Sequence, residues 1–211
     1  MRLFVAFEIP EPVRRELRRR LAGLRERLPR ARWVNPDVLH LTLLFLGEVA
    51  ADRAPALADA LREACAPFPA LPLRLAGAGT FPPGRPARVA WVGVAAPPEL
   101  APLQAAVTRA AREVLDLPEP DGRPYLPHVT LARCPSPWPR RAAESFAGAF
   151  PGEIGPPFLA SHGVLVESRL SPRGASYRDL ATLPLAGREV GDAVGAAGAA
   201  GGAGEPVGAA G

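Results

Sequence analysis

One short pattern occurs twice in this chain and constrains its fold more than any other feature: His40-Leu41-Thr42-Leu43 and His128-Val129-Thr130-Leu131. The chain has only three histidines, and two of them head the same four residues. In a strand, side chains alternate between faces, so His and Thr at i and i+2 share one face, about 7 Å apart. The intervening Leu41, Leu43, Val129 and Leu131 point the other way, where they can anchor the strand in a core. Each copy therefore reads as a half-buried strand that offers an imidazole and a hydroxyl to one surface. The copies lie far apart in the chain, as expected for one copy per lobe. Two similar lobes facing each other would bring the imidazoles together across a cleft.

The remaining punctuation supports an α+β chain. Leu3, Val5 and Phe7 alternate as a first strand. Pro10 and Pro12 suit a helix start. Val13, Leu17, Leu21, Leu24 and Leu28 then recur at helical spacing until Pro29. Strands are expected at Arg32–Val34 and Leu39–Leu46, with a helix from about Asp52 to Ala66. Further strands follow at Leu71–Phe81 and Ala87–Val94, joined by the turn-rich Pro82-Pro83-Gly84-Arg85-Pro86. A helix carrying Leu103, Val107, Ala110 and Val114 leads to a Pro/Gly-rich loop and the strand His128–Arg133. A short helix near Arg140–Ala147 and strands at Ile154–Ser168 and Ser176–Leu185 complete the ordered part. This order suits mostly antiparallel sheets rather than regular βα alternation. Residues 187–211 are rich in Gly and Ala without an apolar face and are expected to form a disordered tail, leaving 1–186 as the folded unit.

Composition adds less. The net charge of +4 favours an anionic partner, but all 25 basic residues are arginine, which reflects compositional drift more than function. The opening MRLFVAFEIP is interrupted too soon by Glu8 and Pro10 for a secretion signal. No apolar run reaches the roughly 18 residues of a membrane span, so a cytoplasmic protein is expected. Cys65 and Cys134, the two cysteines, are expected to be reduced and structural.

A pair of imidazoles suits acid–base chemistry at phosphorus. Histidine titrates near neutrality, so one ring can accept a proton while the other donates one. The neighbouring Thr42 and Thr130 hydroxyls can donate hydrogen bonds to phosphate oxygens. This chemistry needs no metal, and three scattered histidines make a poor metal site. His162 lacks the Thr two residues on and reads as a structural or surface residue.

With these motifs the chain resembles the two-histidine (2H) phosphoesterase superfamily, specifically its RNA 2′,3′-cyclic phosphodiesterases, also called 2′-5′ RNA ligase-like proteins. The resemblance rests on Arg2-Leu3-Phe4-Val5-Ala6 and on His40 to Leu43 running into Phe45-Leu46-Gly47. It also rests on Pro127 to Arg133, Glu167-Ser168-Arg169-Leu170, and Gly174 to Tyr177. It implies a bilobal α+β fold: two mainly antiparallel sheets with flanking helices and an active-site cleft between lobes. It further implies hydrolysis of RNA 2′,3′-cyclic phosphate ends to 2′-phosphomonoesters. A monomer that needs no metal, cofactor, membrane or obligate protein partner is expected. By motif position His40 is the implied proton donor, His128 the implied proton acceptor, and Thr42, Thr130 and Arg133 the phosphate-binding residues.

Several points stay open. Strict alternation turns Arg133, five residues past His128, toward the core unless the strand ends or bulges before Pro135. Phe45 stands in the same relation to His40, which argues against base stacking by it. Tyr177 could stack on a base or pack between strands. Ligation of RNA halves through a 2′-5′ bond would use the same two histidines, and an inactive RNA- or nucleotide-binding protein is the alternative of another class.

Overall fold

The computed structural model describes residues 1–84, 86–118, 122, 124–171 and 174–187. Residues 188–211, nearly all of the expected disordered tail, lie outside the described residues. Nine strands and four α-helices follow in the order β1 (Arg2–Glu8), α1 (Glu11–Ala22), β2 (Arg32–Trp33), β3 (His40–Glu48), α2 (Ala54–Cys65), β4 (Leu71–Phe81), β5 (Ala87–Ala95), α3 (Leu100–Leu115), β6 (His128–Trp138), α4 (Arg140–Gly148), β7 (Glu153–Ala160), β8 (His162–Ser171) and β9 (Gly174–Pro184).

The strands form two sheets, ordered β3-β1-β8-β9 and β2-β6-β5-β4-β7, and every pairing is antiparallel. The expected α+β fold with two antiparallel sheets and flanking helices is thus observed. His40 opens a strand of the first sheet and His128 a strand of the second, one motif per sheet. One hydrophobic core underlies both. Leu3, Val5, Phe7, Leu41 and Leu43 of the first sheet join Leu73, Leu75, Val92, Val129 and Leu131 of the second, with α1, α2, α3 and α4 packed against them. Burying such side chains contributes about 1.5–3 kcal/mol each. That driving force keeps the opposite face of each motif free for chemistry.

Two expected boundaries are corrected. The first helix ends at Ala22 rather than at Pro29, capped by Gly23, although Leu24 and Leu28 are still buried. Their apolar spacing serves the core through a run of turns. Glycine costs a helix interior about 1 kcal/mol relative to alanine, and nothing later compensates. The stretch Ile154–Ser168 is not one strand but parts of two, β7 and β8, which belong to different sheets and part at Ser161. Gly155 in β7 has φ +75°, and a Cβ there would stand 3.3 Å from the Val13 Cα, so this glycine lets β7 approach α1.

Cys65 and Cys134 are both buried and unpaired. Burial pushes the Cys65 thiol up to about 11. Among the described residues no helix is long and apolar enough to cross a membrane.

Candidate active site

The chain just before each motif holds its imidazole. Before β3, Asn35 caps a single 3-10 turn, Pro36–Val38, by accepting from the Asp37 N–H at 3.1 Å. This presents the Val38 carbonyl to His40 Nδ1 at 2.9 Å. Before β6, the Leu126 carbonyl stands 2.8 Å from His128 Nδ1. A carbonyl can only accept, so both Nδ1 atoms carry the proton. In both rings Nε2 is left to exchange one.

The alternation after each histidine is as the sequence predicts. Leu41, Leu43, Val129 and Leu131 are all buried in the core, whereas Thr42 and Thr130 are half-buried on the histidine face. Three residues past each histidine the register slips. On β1, Ala6 pairs with Thr42 and Val5 with Leu44, so Leu43 is the extra residue of a bulge. On β5, Trp91 pairs with Thr130 and Ala90 with Ala132, leaving Leu131 in the same role. Bulged residues leave groups to be satisfied elsewhere. The Leu43 carbonyl accepts from Gln104 Nε2 of α3 at 3.2 Å, and that of Leu131 from the Val34 N–H at 2.9 Å.

The two bulges answer the question left open for Arg133 and correct the expectation for Phe45. Residues paired across antiparallel strands share a face. Phe45 pairs with Phe4, on the face of Ala6 and Thr42, and Arg133 pairs with Val89, on the face of Trp91 and Thr130. Both positions five residues past a histidine therefore turn to the histidine side. Phe45 is 54% exposed there, and the Arg2 guanidinium lies 4.9 Å from its ring centroid.

Each imidazole sits between two aromatic rings. His40 stacks on Phe4, 4.7 Å between centroids and 29° between planes, and meets Tyr177 edge-on at 5.4 Å. His128 meets Phe81 edge-on at 5.1 Å and Trp91 at 6.0 Å. Tyr177 thus meets the imidazole on the face of the sheet, where its ring is half-buried. Phe4, Phe81 and Trp91 were not singled out from sequence. A usable signal lay in Gly79 and Gly93: a Cβ at Gly79 would stand 2.5 Å from the Trp91 ring, and one at Gly93 would stand 2.6 Å from the Ala76 carbonyl. Gly79 makes room for the indole and Gly93 for the β4 backbone, and only the strand pairing reveals that Gly79 lies opposite Trp91.

β3 and β6 pack against each other and join the two faces. Tyr125, just before β6, donates its hydroxyl to the Thr42 carbonyl at 2.9 Å. Burial holds His40 below its ordinary range. The Val38 hydrogen bond opposes this, and the Arg133 guanidinium from the other sheet adds to it. Burial raises Tyr177, while Arg133 and Arg2 pull it down. Arg133 thus acts on two side chains of the opposite sheet. His162 is exposed at the start of β8, with Nδ1 3.2 Å from Ser161 Oγ, and belongs to neither motif. Among the described residues no three His, Cys, Asp or Glu side chains converge as metal ligands. The two Nε2 atoms, without a hydrogen-bond partner among the described residues, the two hydroxyls and the guanidinium are the kinds of group that hold a phosphate and move protons on and off it.

The chain is similar to several known proteins. The sequence pattern of the family described as LigT like Phosphoesterase matches residues 7–91. An RNA 2′,3′-cyclic phosphodiesterase of Thermus thermophilus is 36% identical over 197 residues, covering 89% of this chain and 91% of that relative. One from Methanothermobacter thermautotrophicus is 28% identical, with 88% and 99% covered. Among solved structures, TT0787 of Thermus thermophilus matches with a TM-score of 0.73 at 28% identity, over 90% of this chain and 100% of that one. Escherichia coli LigT complexed with 3′-AMP matches with a TM-score of 0.67 at 27% identity, over 87% and 97%.

Proposed function

The chain belongs to the LigT-like phosphoesterases, and from that membership we propose that it is an RNA 2′,3′-cyclic phosphodiesterase that opens the cyclic phosphate at an RNA end. Water attacks phosphorus opposite the 3′ oxygen. One Nε2 takes the water proton as the P–O bond forms, and the other gives a proton to the 3′ oxygen as its bond to phosphorus breaks. The products are a 2′-phosphomonoester and a free 3′ hydroxyl. Proton transfer of this kind contributes about 10²–10⁴-fold per group.

The reading is carried by the matched pair of imidazoles, each fixed through Nδ1 and each leaving Nε2 for the reaction. His40 serves as the donor to the 3′ oxygen and His128 as the acceptor from water. Thr42 and Thr130 hold the non-bridging oxygens. The Arg133 fork carries phosphate charge from beside His40. In the free protein the depressed His40 pKa favours the neutral ring. A bound phosphate monoanion offsets Arg133 and restores the proton that the donor needs.

The deciding experiment incubates RNA ending in a 2′,3′-cyclic phosphate with wild type and with His128→Ala, and identifies the product by NMR. The expected result is a 2′-phosphate with wild type and a rate at least two orders of magnitude lower with the variant. A 3′-phosphate product, or equal rates, overturns the assignment.

A further inference from the structure

β3 is an edge strand of the first sheet, with β1 on one side only. Just before it, the Leu39 carbonyl accepts from the Ile9 N–H at 3.3 Å, on the β1 side. Carbonyls alternate along a strand, so those of His40 and Thr42 point the other way, to the open edge. The Thr42 carbonyl accepts there from the Tyr125 hydroxyl at 2.9 Å, in the segment that leads into β6 of the second sheet. The Tyr125 ring packs against the common core. Burial raises its pKa, so the hydroxyl keeps its proton and donates it to this bond.

The place of this bond matters more than its strength. At one end it holds Thr42, two residues past His40. At the other it holds Tyr125, next to Leu126, whose carbonyl fixes His128 Nδ1 at 2.8 Å. Two residues of β3, one hydrogen bond and three residues of the 125–128 segment thus tie imidazole to imidazole. The neighbouring Leu43 carbonyl gives the contrast. Its donor, Gln104, stands on α3, which packs on β3 itself. The Gln104 bond steadies the bulge within one sheet and its covering helix, whereas the Tyr125 bond spans the two sheets.

We propose that Tyr125 is a positioning residue whose hydroxyl sets the spacing between the His40 and His128 halves, so that both proton transfers fall on one phosphate. The inference rests on the phosphodiesterase reading of the site. Transfer by two rings needs both in place at once, and a displacement of about 1 Å can cost on the order of 100-fold in rate. Tyr125→Phe keeps the ring in the core and removes only the bridging oxygen. The common core still holds the sheets together, so the variant folds while the two halves lose their tie. Thr130 and Arg133 stay where they are, so alignment suffers more than binding does.

The test compares wild type, Tyr125→Phe and Gln104→Ala on RNA ending in a 2′,3′-cyclic phosphate, and titrates the His40 ring of each by NMR. In Tyr125→Phe kcat should fall roughly tenfold or more, with a smaller change in KM. The His40 pKa should rise toward its ordinary value, because parting the halves relieves burial and withdraws Arg133. Glu8, Arg14, Asp37 and Asp179 also line the His40 pocket, on elements the Tyr125 hydroxyl does not touch, so their influence stays. Gln104→Ala should lower the melting midpoint and leave the His40 titration where it is. The proposal is overturned if kcat of Tyr125→Phe stays within about threefold of wild type. An unmoved His40 titration in Tyr125→Phe, or an equal shift in Gln104→Ala, overturns it as well. If wild type turns over no cyclic phosphate, the phosphodiesterase reading fails instead. The His40 titrations of the two variants then decide by themselves whether Tyr125 spaces the halves.

Discussion

The His40 and His128 halves of the site share one backbone plan and differ in what surrounds it. Both imidazoles are tied through Nδ1 to the carbonyl two residues back, both strands bulge three residues on, and both rings touch two aromatic side chains. At the position the bulge turns outward, however, one half carries Phe45 and the other Arg133. Arg133 acts across the interface, on His40 of the other sheet. A repeated backbone can thus hold two imidazoles in unlike surroundings, because geometry comes from the strand and charge from the neighbours.

The largest expected effect tests whether the halves act as a unit. His40→Ala and His128→Ala should each lose at least about 100-fold in kcat while circular dichroism stays unchanged. The double variant should lose much less than the product of the two losses. Independent, multiplying effects would break the pairing. Thr42→Ala and Thr130→Ala should cost on the order of tenfold to a hundredfold each. A cost confined to one threonine would show that a single half holds the phosphate.

Arg133→Ala probes the asymmetry itself. Removing the guanidinium should raise the His40 pKa, followed by NMR titration of its ring, because a repelling cation is gone. With His40 as donor, kcat/KM in wild type falls as pH rises through that depressed value. The alkaline limb should therefore move to higher pH in the variant. The limb of kcat, which reports the bound state, should lie at higher pH than that of kcat/KM in wild type. An unmoved limb would reverse the donor and acceptor roles.

The smallest effect concerns packing on the His128 side alone. Gly79→Ala forces a methyl into the Trp91 ring and should cost about 1–3 kcal/mol of stability by denaturant melts. Because Trp91 also touches His128, some activity should be lost with it. Loss of activity without loss of stability would mean that the indole positions the imidazole more than it fills space.

Much of this site was legible in the sequence, and its gaps have definite causes. The doubled His-x-Thr-x pattern located both imidazoles and both hydroxyls, because period-two alternation is a local property of a strand. Alternation alone misplaced Phe45 and left Arg133 undecided, because a bulge depends on the partner strand. The helix ending at Ala22 and the parting of β7 from β8 were missed for a related reason. Leu24 and Leu28 keep the helical apolar spacing although the helix has ended, and no glycine or proline at Ser161 marks the point where β7 and β8 part. Phe4, Phe81 and Trp91 are ordinary strand aromatics until the pairings set them beside a histidine.

What the amino-acid order determined by itself is local: where the two imidazoles and two hydroxyls stand, which face of each strand they occupy, and that the chain is α+β with antiparallel sheets. Tertiary structure alone decided which distant groups meet. It set Arg133 against His40 and aromatic rings around each imidazole. The reason is that face alternation arises within a few residues, whereas register, bulges and the approach of two sheets follow from burying one common core.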